Sequence, residues 1–107
     1  MVVIVFRTRI RKDVEQELEA LGARMYQLAS EMPGFISYKD FVAPDGECVS
    51  IVEFESMESL AAWRDHPEHK EAQRQGRERY FSEYHIQVCA AVRDYRFPLN
   101  KASGALR

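Results

Sequence analysis

Three side chains that can move a proton or contact an aromatic ring lie close together between Ser56 and Tyr84. Trp63, the single tryptophan of the chain, is followed by His66 and His69. Histidine titrates near neutral pH and often serves as a general base, and an indole offers a flat surface to a planar ligand. The spacing predicts a site where a small aromatic molecule is bound and deprotonated.

The chemistry that these residues could support is general-base catalysis. His66 or His69 would take a proton from a phenol or enol. Trp63 would stack on the substrate and position it. A metal site is not predicted, because Pro67 interrupts the helical face that the two histidines would share and no third ligand follows at a suitable spacing.

A structural role is the alternative for each of these residues. His66 would cap a helix, and His69 would face solvent beside Glu68 and Lys70. Trp63 would be a large core residue that anchors its helix to a sheet.

Three further residues are candidates for binding the substrate. Arg7 lies on the first strand, where it and Arg9 are the inward polar candidates. Arg7 would bind an anionic group, or form an ion pair across the sheet. Tyr38 lies on a strand and Tyr80 near a helix end. Each tyrosine would pack in the core or direct its hydroxyl into a cavity.

The segment around these residues predicts two helices with a break between them. Ser56 is suited to the N-cap, and Glu58 lies in the first turn, where the helix dipole favours negative charge. Pro67 disfavours helical backbone at His66 and is itself suited to a first helical turn. We therefore expect the second helix to begin at Pro67 and to continue to about Glu83.

Length and composition indicate one small globular domain. The chain has 107 residues, of which 46% are hydrophobic and 30% charged, and its net charge of -2 gives no electrostatic case for nucleic acid. No apolar run is long enough to span a membrane. We expect the domain to occupy residues 1–96, followed by a mobile basic tail over 97–107.

The cysteines and the first residues favour a cytoplasmic protein. Cys48 and Cys89 lie in strand-like runs without a CxxC spacing, which predicts buried free thiols. The opening sequence MVVIVFRTRI lacks the basic region and cleavage site of a signal peptide.

The rest of the chain predicts four strands and one more helix. β-branched residues favour a strand over Val2–Ile10, and turn residues between 35–43 and 48–55 favour a hairpin. Asp13, with Gln16 three residues on, is suited to capping the first helix. Alternation predicts the last strand over 85–95. One apolar stripe marks the first helix: Val14, Leu18, Leu21, Met25, Leu28 and Met32.

The element order β-α-β-β-α-β predicts an α+β ferredoxin-like fold with a four-stranded antiparallel sheet. The helices would cover one sheet face, and alternation leaves apolar residues on the other. An exposed apolar face predicts a partner, and two sheets packed face to face would form a homodimeric α/β barrel. The residues expected on that face come from Val3, Val5, Phe35, Phe41, Val49, Ile51, Cys89 and Ala91.

Three motifs carry a resemblance to a known family. They are the turn Pro33-Gly34-Phe35, the sequence WRDHPEH over 63–69 and the sequence GRERYFSEYHIQV over 76–88. Over residues 2–95 the chain resembles the antibiotic biosynthesis monooxygenase domain family of the dimeric α/β-barrel superfamily.

The resemblance implies a homodimer with a pocket between sheet and helices in each protomer. Some relatives oxygenate aromatic polyketides without metal or flavin, others degrade haem, and many have no known activity. Trp63 matches the tryptophan of the haem-degrading branch, whereas Gln73 stands where that branch has a histidine and the first strand has no asparagine. The resemblance thus favours a cofactor-independent monooxygenase for a small aromatic or quinone-like metabolite, in which the carbanion formed by deprotonation would reduce molecular oxygen directly. The alternatives are a non-catalytic or stress-related binding dimer and, third, a haem-binding protein.

Overall fold

The computed structural model describes residues 1–98. Its elements confirm the predicted order, with the second helical region divided in two. They are β1 (Val2–Ile10), α1 (Glu15–Ser30), β2 (Phe35–Val42), β3 (Cys48–Phe54), α2 (Met57–Arg64), α3 (Pro67–Gln75), a π-helical turn (Gly76–Tyr80) and β4 (Phe81–Ala90).

The four strands form one antiparallel sheet in the order β2-β3-β1-β4. The strand β1 lies inside the sheet, between β3 and β4, and its β-branched residues suit a position with neighbours on both sides. The helices pack on one face, so the predicted ferredoxin-like fold is confirmed. We call the other face the open face.

The core lies between the sheet and the helices. Phe54 and Ala29 are completely buried, and Trp63 closes the core at the end of α2. The remaining buried hydrophobic residues of this cluster are Val2, Ile4 and Val52 from the sheet, Met25 and Leu28 from α1, and Leu60 from α2.

The predicted cap of α1 is wrong. Asp13 has a φ of 67° and lies in a turn, and Val14 occupies the N-cap position without a side-chain hydrogen bond. Aspartate tolerates the left-handed region better than most residues, which suits it to the turn between β1 and α1.

The second helical region begins as predicted. Ser56 caps α2 and accepts a hydrogen bond from the Ser59 backbone N–H at 3.1 Å. The predicted break at His66 is confirmed, with Pro67 as the first residue of α3. Gly34, which ends the turn before β2, has a φ of 84°, and a Cβ there would lie 2.6 Å from the Ser59 side chain. Only glycine therefore fits where this turn meets α2.

The predicted boundaries of β4 are wrong at both ends. The helix expected to continue to Glu83 ends at Gln75, and β4 runs over Phe81–Ala90 instead of 85–95. A π-helical turn connects α3 to β4, and Phe81, the residue after this turn, pairs with Ile10 of β1. The edge strand β4 is largely exposed on both faces, so polar and charged residues occur on both. For this reason the sequence RERYFSEY resembles the surface of a helix.

The register places most of the predicted open-face residues correctly. Val3, Val5, Val49, Ile51, Phe41 and Cys89 share the open face. Phe35 does not belong to this set, because it packs on the helix side against Phe54, with ring centroids 5.9 Å apart. Ala91 lies beyond the end of β4.

The cysteines differ from expectation in burial. Both are free, as predicted, but Cys48 is only partly buried and Cys89 is exposed. No helix of residues 1–98 is long and apolar enough to cross a membrane. Most of the predicted tail, residues 99–107, lies outside the described residues.

Candidate active site

A cavity of about 840 Å³ lies between the helix side of the sheet and the helices. Its volume falls in the usual range for small-molecule sites, and its position is where the resemblance implies a pocket. The apolar part of its lining includes Ile4, Phe6, Leu18, Leu21, Met25, Val52, Leu60, Ile86 and Val88. The lining suits an aromatic or other largely apolar ligand.

Trp63 and His69 form a stacked pair in the cavity wall. Their ring centroids are 4.1 Å apart and the ring planes differ by 15°. The break at His66 turns α3 back across the end of α2, which brings the imidazole onto the indole. Trp63 is only 6% exposed and His69 is partly buried.

The hydrogen bonding of His69 defines its tautomer. Its Nδ1 lies 3.2 Å from the backbone carbonyl oxygen of Trp63, which can only accept. Nδ1 therefore carries the proton, and the lone pair is on Nε2. Among residues 1–98, Nε2 has no hydrogen-bond partner. Burial lowers the pKa of His69, although hydrogen bonds to the backbone of Trp63 and Arg64 oppose the shift. A neutral imidazole is the form that can act as a base.

The indole of Trp63 retains an unused donor. Its Nε1 is buried and has no hydrogen-bond partner among the described residues. Leaving such a donor unpaired costs about 1–3 kcal/mol. Because His69 covers one face of the indole, the predicted stacking of a substrate cannot occur on that face.

Two predicted tyrosines also line the cavity. The Tyr38 ring lies 6.1 Å from that of Trp63, in an edge-to-face arrangement. Burial raises the pKa of Tyr38 to about 12, so its hydroxyl stays protonated and can donate. Tyr80 is 6% exposed, and its hydroxyl donates a long 3.5 Å hydrogen bond to Glu17 Oε2.

The other two predicted site residues lie elsewhere. His66 is not part of the cavity lining, and its Nδ1 accepts a 3.1 Å hydrogen bond from the Glu68 backbone N–H at the start of α3. This is the capping role that the sequence left open. Arg7 lies on the open face, where Nε and Nη2 each donate a 3.1 Å hydrogen bond to Glu47. The structure therefore brings together Trp63, His69 and Tyr38, whereas Tyr80 lines the same cavity near the Ile10 end of β1.

Thr8 is the inward polar residue of β1 and was missed. It is 6% exposed and lines the cavity, whereas Arg7 and Arg9 point to the open face. The alternation that groups Ile4 with Phe6 predicts this position for Thr8, because residues two apart share a face. The expectation that the arginines face inward was wrong.

Gln73 supports the turn between α2 and α3. Its Nε2 donates a 3.1 Å hydrogen bond to the Arg64 carbonyl oxygen and lies 3.4 Å from His69 Nδ1. Because Nδ1 already carries a proton, the second contact is not a hydrogen bond in the assigned tautomer. Among residues 1–98, no three His, Cys, Asp or Glu side chains are grouped so that they could hold a metal ion.

The fold and the cavity define a small ferredoxin-like domain with a cavity between its sheet and its helices. The chain belongs to the antibiotic biosynthesis monooxygenase family, whose model matches residues 1–75.

Three comparisons illustrate this relationship. The uncharacterized protein YqjZ of Bacillus subtilis strain 168 is 31% identical over 77 residues, which cover 72% of this chain and 68% of YqjZ. The structure of Rv0793 from Mycobacterium tuberculosis superimposes with a TM-score of 0.78 at 24% identity, covering 87% of this chain and 96% of that one. The structure of SnoaB from Streptomyces nogalater, a cofactor-independent oxygenase, superimposes with a TM-score of 0.73 at 18% identity, covering 92% of this chain and 97% of SnoaB. The two structural matches show the shared fold.

Proposed function

We propose that the protein is a cofactor-independent monooxygenase for a small aromatic or quinone-like metabolite bound in the helix-side cavity. The observation that carries the proposal is the stacked Trp63–His69 pair in a largely apolar cavity, with an unpartnered Nε2 on the imidazole. Family membership and the fold shared with SnoaB support the same class of reaction.

The proposed chemistry needs only the substrate and oxygen. His69 Nε2 takes the hydroxyl proton of a phenol or enol tautomer, which makes a ring carbon electron-rich. That carbanion transfers one electron to oxygen, and the carbon radical combines with superoxide to form a peroxide. Loss of water from the peroxide leaves a carbonyl. In total, a CH₂ group and O₂ become C=O and H₂O, and the imidazole returns its proton to the departing oxygen.

The surrounding residues hold the reactants in place. Trp63 fixes the imidazole plane by stacking. Tyr38 supplies a protonated hydroxyl, and Tyr80 lines the cavity near the other end of β1. The role of His66 as a base remains a prediction, and its position at the cap of α3 gives it no support. The predicted role of Arg7 in binding substrate has no support either, because Arg7 lies on the open face, paired with Glu47.

Oxygen uptake by metal-free protein tests this proposal. The substrates are a panel of hydroxylated anthrones, naphthols and quinols. We expect uptake above the uncatalysed rate, and we expect His69→Gln to lower it by about 10²-fold or more, the scale of a general base. His66→Asn is the matched control, because asparagine keeps a capping acceptor outside the cavity, and it should retain full activity.

The same experiment separates the competing functions. The largely apolar lining also suits a non-catalytic binding protein, for which the panel would bind without oxygen uptake. A Soret band on addition of haem would favour the third alternative.

We also propose that the protein is a homodimer associated through the open face. Val3, Val5, Val49 and Ile51 form an apolar band on this face, with Phe41 beside it and 50% exposed. Pairing two such faces removes this band from water and forms the barrel of eight strands.

A further inference from the structure

Gly22 has no local structural reason to be a glycine. It lies in the middle of α1, where glycine costs about 1 kcal/mol relative to alanine. A Cβ added there would have no heavy atom within 4 Å outside its own stretch of helix, so close packing against the sheet does not require glycine. Gly22 is partly buried and lines the cavity. The space beside it is therefore cavity space.

Thr8 provides an independent observation in the same cavity. Thr8 is 6% exposed and lines the cavity, and within residues 1–98 its hydroxyl makes no hydrogen bond. The Ser50 hydroxyl differs, because it donates a 2.5 Å hydrogen bond to Asp40. The Thr8 hydroxyl is not among the fully buried polar atoms that lack a partner, so it keeps accessible surface through which a ligand or water in the cavity can bind it.

Thr8 lies far along the strand from the Trp63–His69 pair. Trp63 contacts Tyr38, which is in register with Val52 and, through it, with Ile4. Thr8 follows Ile4 by four residues, which is about 13 Å at roughly 3.3 Å per residue. A single ring held at Trp63 and His69 would not reach Thr8.

We infer that the part of the cavity between Gly22 and Thr8 is a second binding subsite. It receives the portion of the substrate remote from His69 and binds an oxygen of that portion through the Thr8 hydroxyl. The absence of a side chain at position 22 makes the room. This inference rests on the proposed function only in requiring that the cavity bind the substrate.

Binding measured under nitrogen tests the subsite separately from catalysis. Trp63 is the single tryptophan and lines the cavity, so quenching of its fluorescence reports occupancy. Anthrone, with three fused rings, is compared with hydroquinone, with one ring. Gly22→Leu should weaken anthrone binding at least about tenfold and leave hydroquinone unchanged, because the leucine occupies the subsite.

Gly22→Ala is the matched control for this substitution. Both alanine and leucine favour helix over glycine, so neither variant should lower the melting temperature. Alanine fills little of the space and should keep anthrone affinity within about twofold. Equal anthrone affinity in the alanine and leucine variants would overturn the assignment of Gly22.

A second pair of ligands tests Thr8. Thr8→Val keeps the branched shape and removes the hydroxyl. It should weaken 1,8-dihydroxyanthrone by about three- to tenfold relative to wild type and leave anthrone unchanged, and Thr8→Ser should restore the difference. Equal losses for both ligands would exclude the hydrogen bond.

The outcomes separate the two proposals. Selective binding losses without oxygen uptake by wild type would support the subsite and reject the monooxygenase. Oxygen uptake by wild type without a selective loss of anthrone binding in the variants would support the monooxygenase and reject the subsite. Failure of both anthrones to quench Trp63 in the wild-type protein would reject the subsite.

Discussion

The two faces of the sheet are made from the same four strands and differ in what they do with polar groups. The helix side buries Val52 and Phe54, and within residues 1–98 the buried Trp63 Nε1 and the cavity-lining Thr8 hydroxyl have no hydrogen-bond partner there. On the open face two arginines are paired with carboxylates: Arg7 with Glu47, and Arg9 with Asp45 and Glu83. Unpaired polar groups next to a cavity mark a place for a ligand, whereas paired charges around an apolar band suit an interface.

The difference follows from alternation along each strand. Neighbouring residues point to opposite faces, so Arg7 and Thr8 have opposite surroundings although they are adjacent. The two faces are therefore suited to the two proposed roles, the helix side to a small molecule and the open face to a second chain.

The largest expected contrast between the faces is in stability. Phe54 is completely buried on the helix side, and Phe41 is 50% exposed on the open face of the adjacent strand. Phe54→Ala should lower the free energy of unfolding by about 3–5 kcal/mol, and Phe41→Ala by less than about 1 kcal/mol. Urea unfolding at sub-micromolar concentration measures both. Similar losses would contradict the assignment of the core to one face.

Association should respond only to the open face. Ile51→Lys places a charge in the middle of the apolar band and should weaken self-association at least about 100-fold, because an unpaired buried charge is costly. Sedimentation velocity at micromolar concentration measures this, with circular dichroism to confirm folding. Val42→Lys, at a position 72% exposed outside the band, should not change association. A wild-type monomer, or an unaffected Ile51 variant, would reject the dimer.

The buried imidazole should give the helix side a pH dependence. The pKa of His69 in the folded protein is below the ordinary 6.5, mainly because of burial. In the proposed mechanism neutral His69 is the base, so oxygen uptake should persist below pH 6.5 and fall only as the pH passes through the folded pKa. Stability should change in the same direction as activity. Because the pKa of His69 is higher in the unfolded chain than in the folded protein, the unfolded chain is protonated at a higher pH. The free energy of unfolding therefore decreases as the pH falls from about 6.5 through the folded pKa.

Replacing the imidazole tests this attribution. In His69→Gln, thermal unfolding should lose less stability between about pH 7 and about pH 5 than it does in wild type. An identical pH dependence in the two proteins would assign the effect to other groups.

The smallest expected effect is at Arg7. Exposed ion pairs contribute about 0–1 kcal/mol, and the Arg7–Glu47 pair lies on the open face. Arg7→Gln should leave both the oxygen-uptake rate per folded protein and its Michaelis constant unchanged. A higher Michaelis constant would place Arg7 in the substrate site, as the sequence first suggested.

Local patterns were sufficient to predict the fold. The proline after His66, the capping serine at position 56 and the β-branched strands each have a direct backbone consequence, and together they determine the element order. The end of α3 could not be predicted in this way. The sequence from Gly76 to Tyr84 is as compatible with an exposed edge strand as with a helix surface, and only pairing with β1 decides between them.

The sequence was sufficient to predict the candidate-site residues that lie close together in the chain. It was not sufficient for residues whose place in the site depends on how the helices pack over the sheet. Trp63 and His69 lie six residues apart, and the turn between them is encoded by Pro67. Thr8 carries no comparable signal, since a threonine on a strand is ordinary until the structure shows that it lines a cavity. Gly22 was noticed as a cost to the helix, but its relation to the cavity depends on the packing of α1 over the sheet.

Isotopic labelling of the product gives the most direct test of the proposed monooxygenase reaction. Metal-free protein is supplied with ¹⁸O₂ and its best substrate from the panel, and the product is analysed by mass spectrometry, with His69→Gln and His66→Asn in parallel. We expect one ¹⁸O atom per product molecule, formed rapidly by wild type and His66→Asn and slowly by His69→Gln. Product without the label, or equal rates in the two histidine variants, would contradict it.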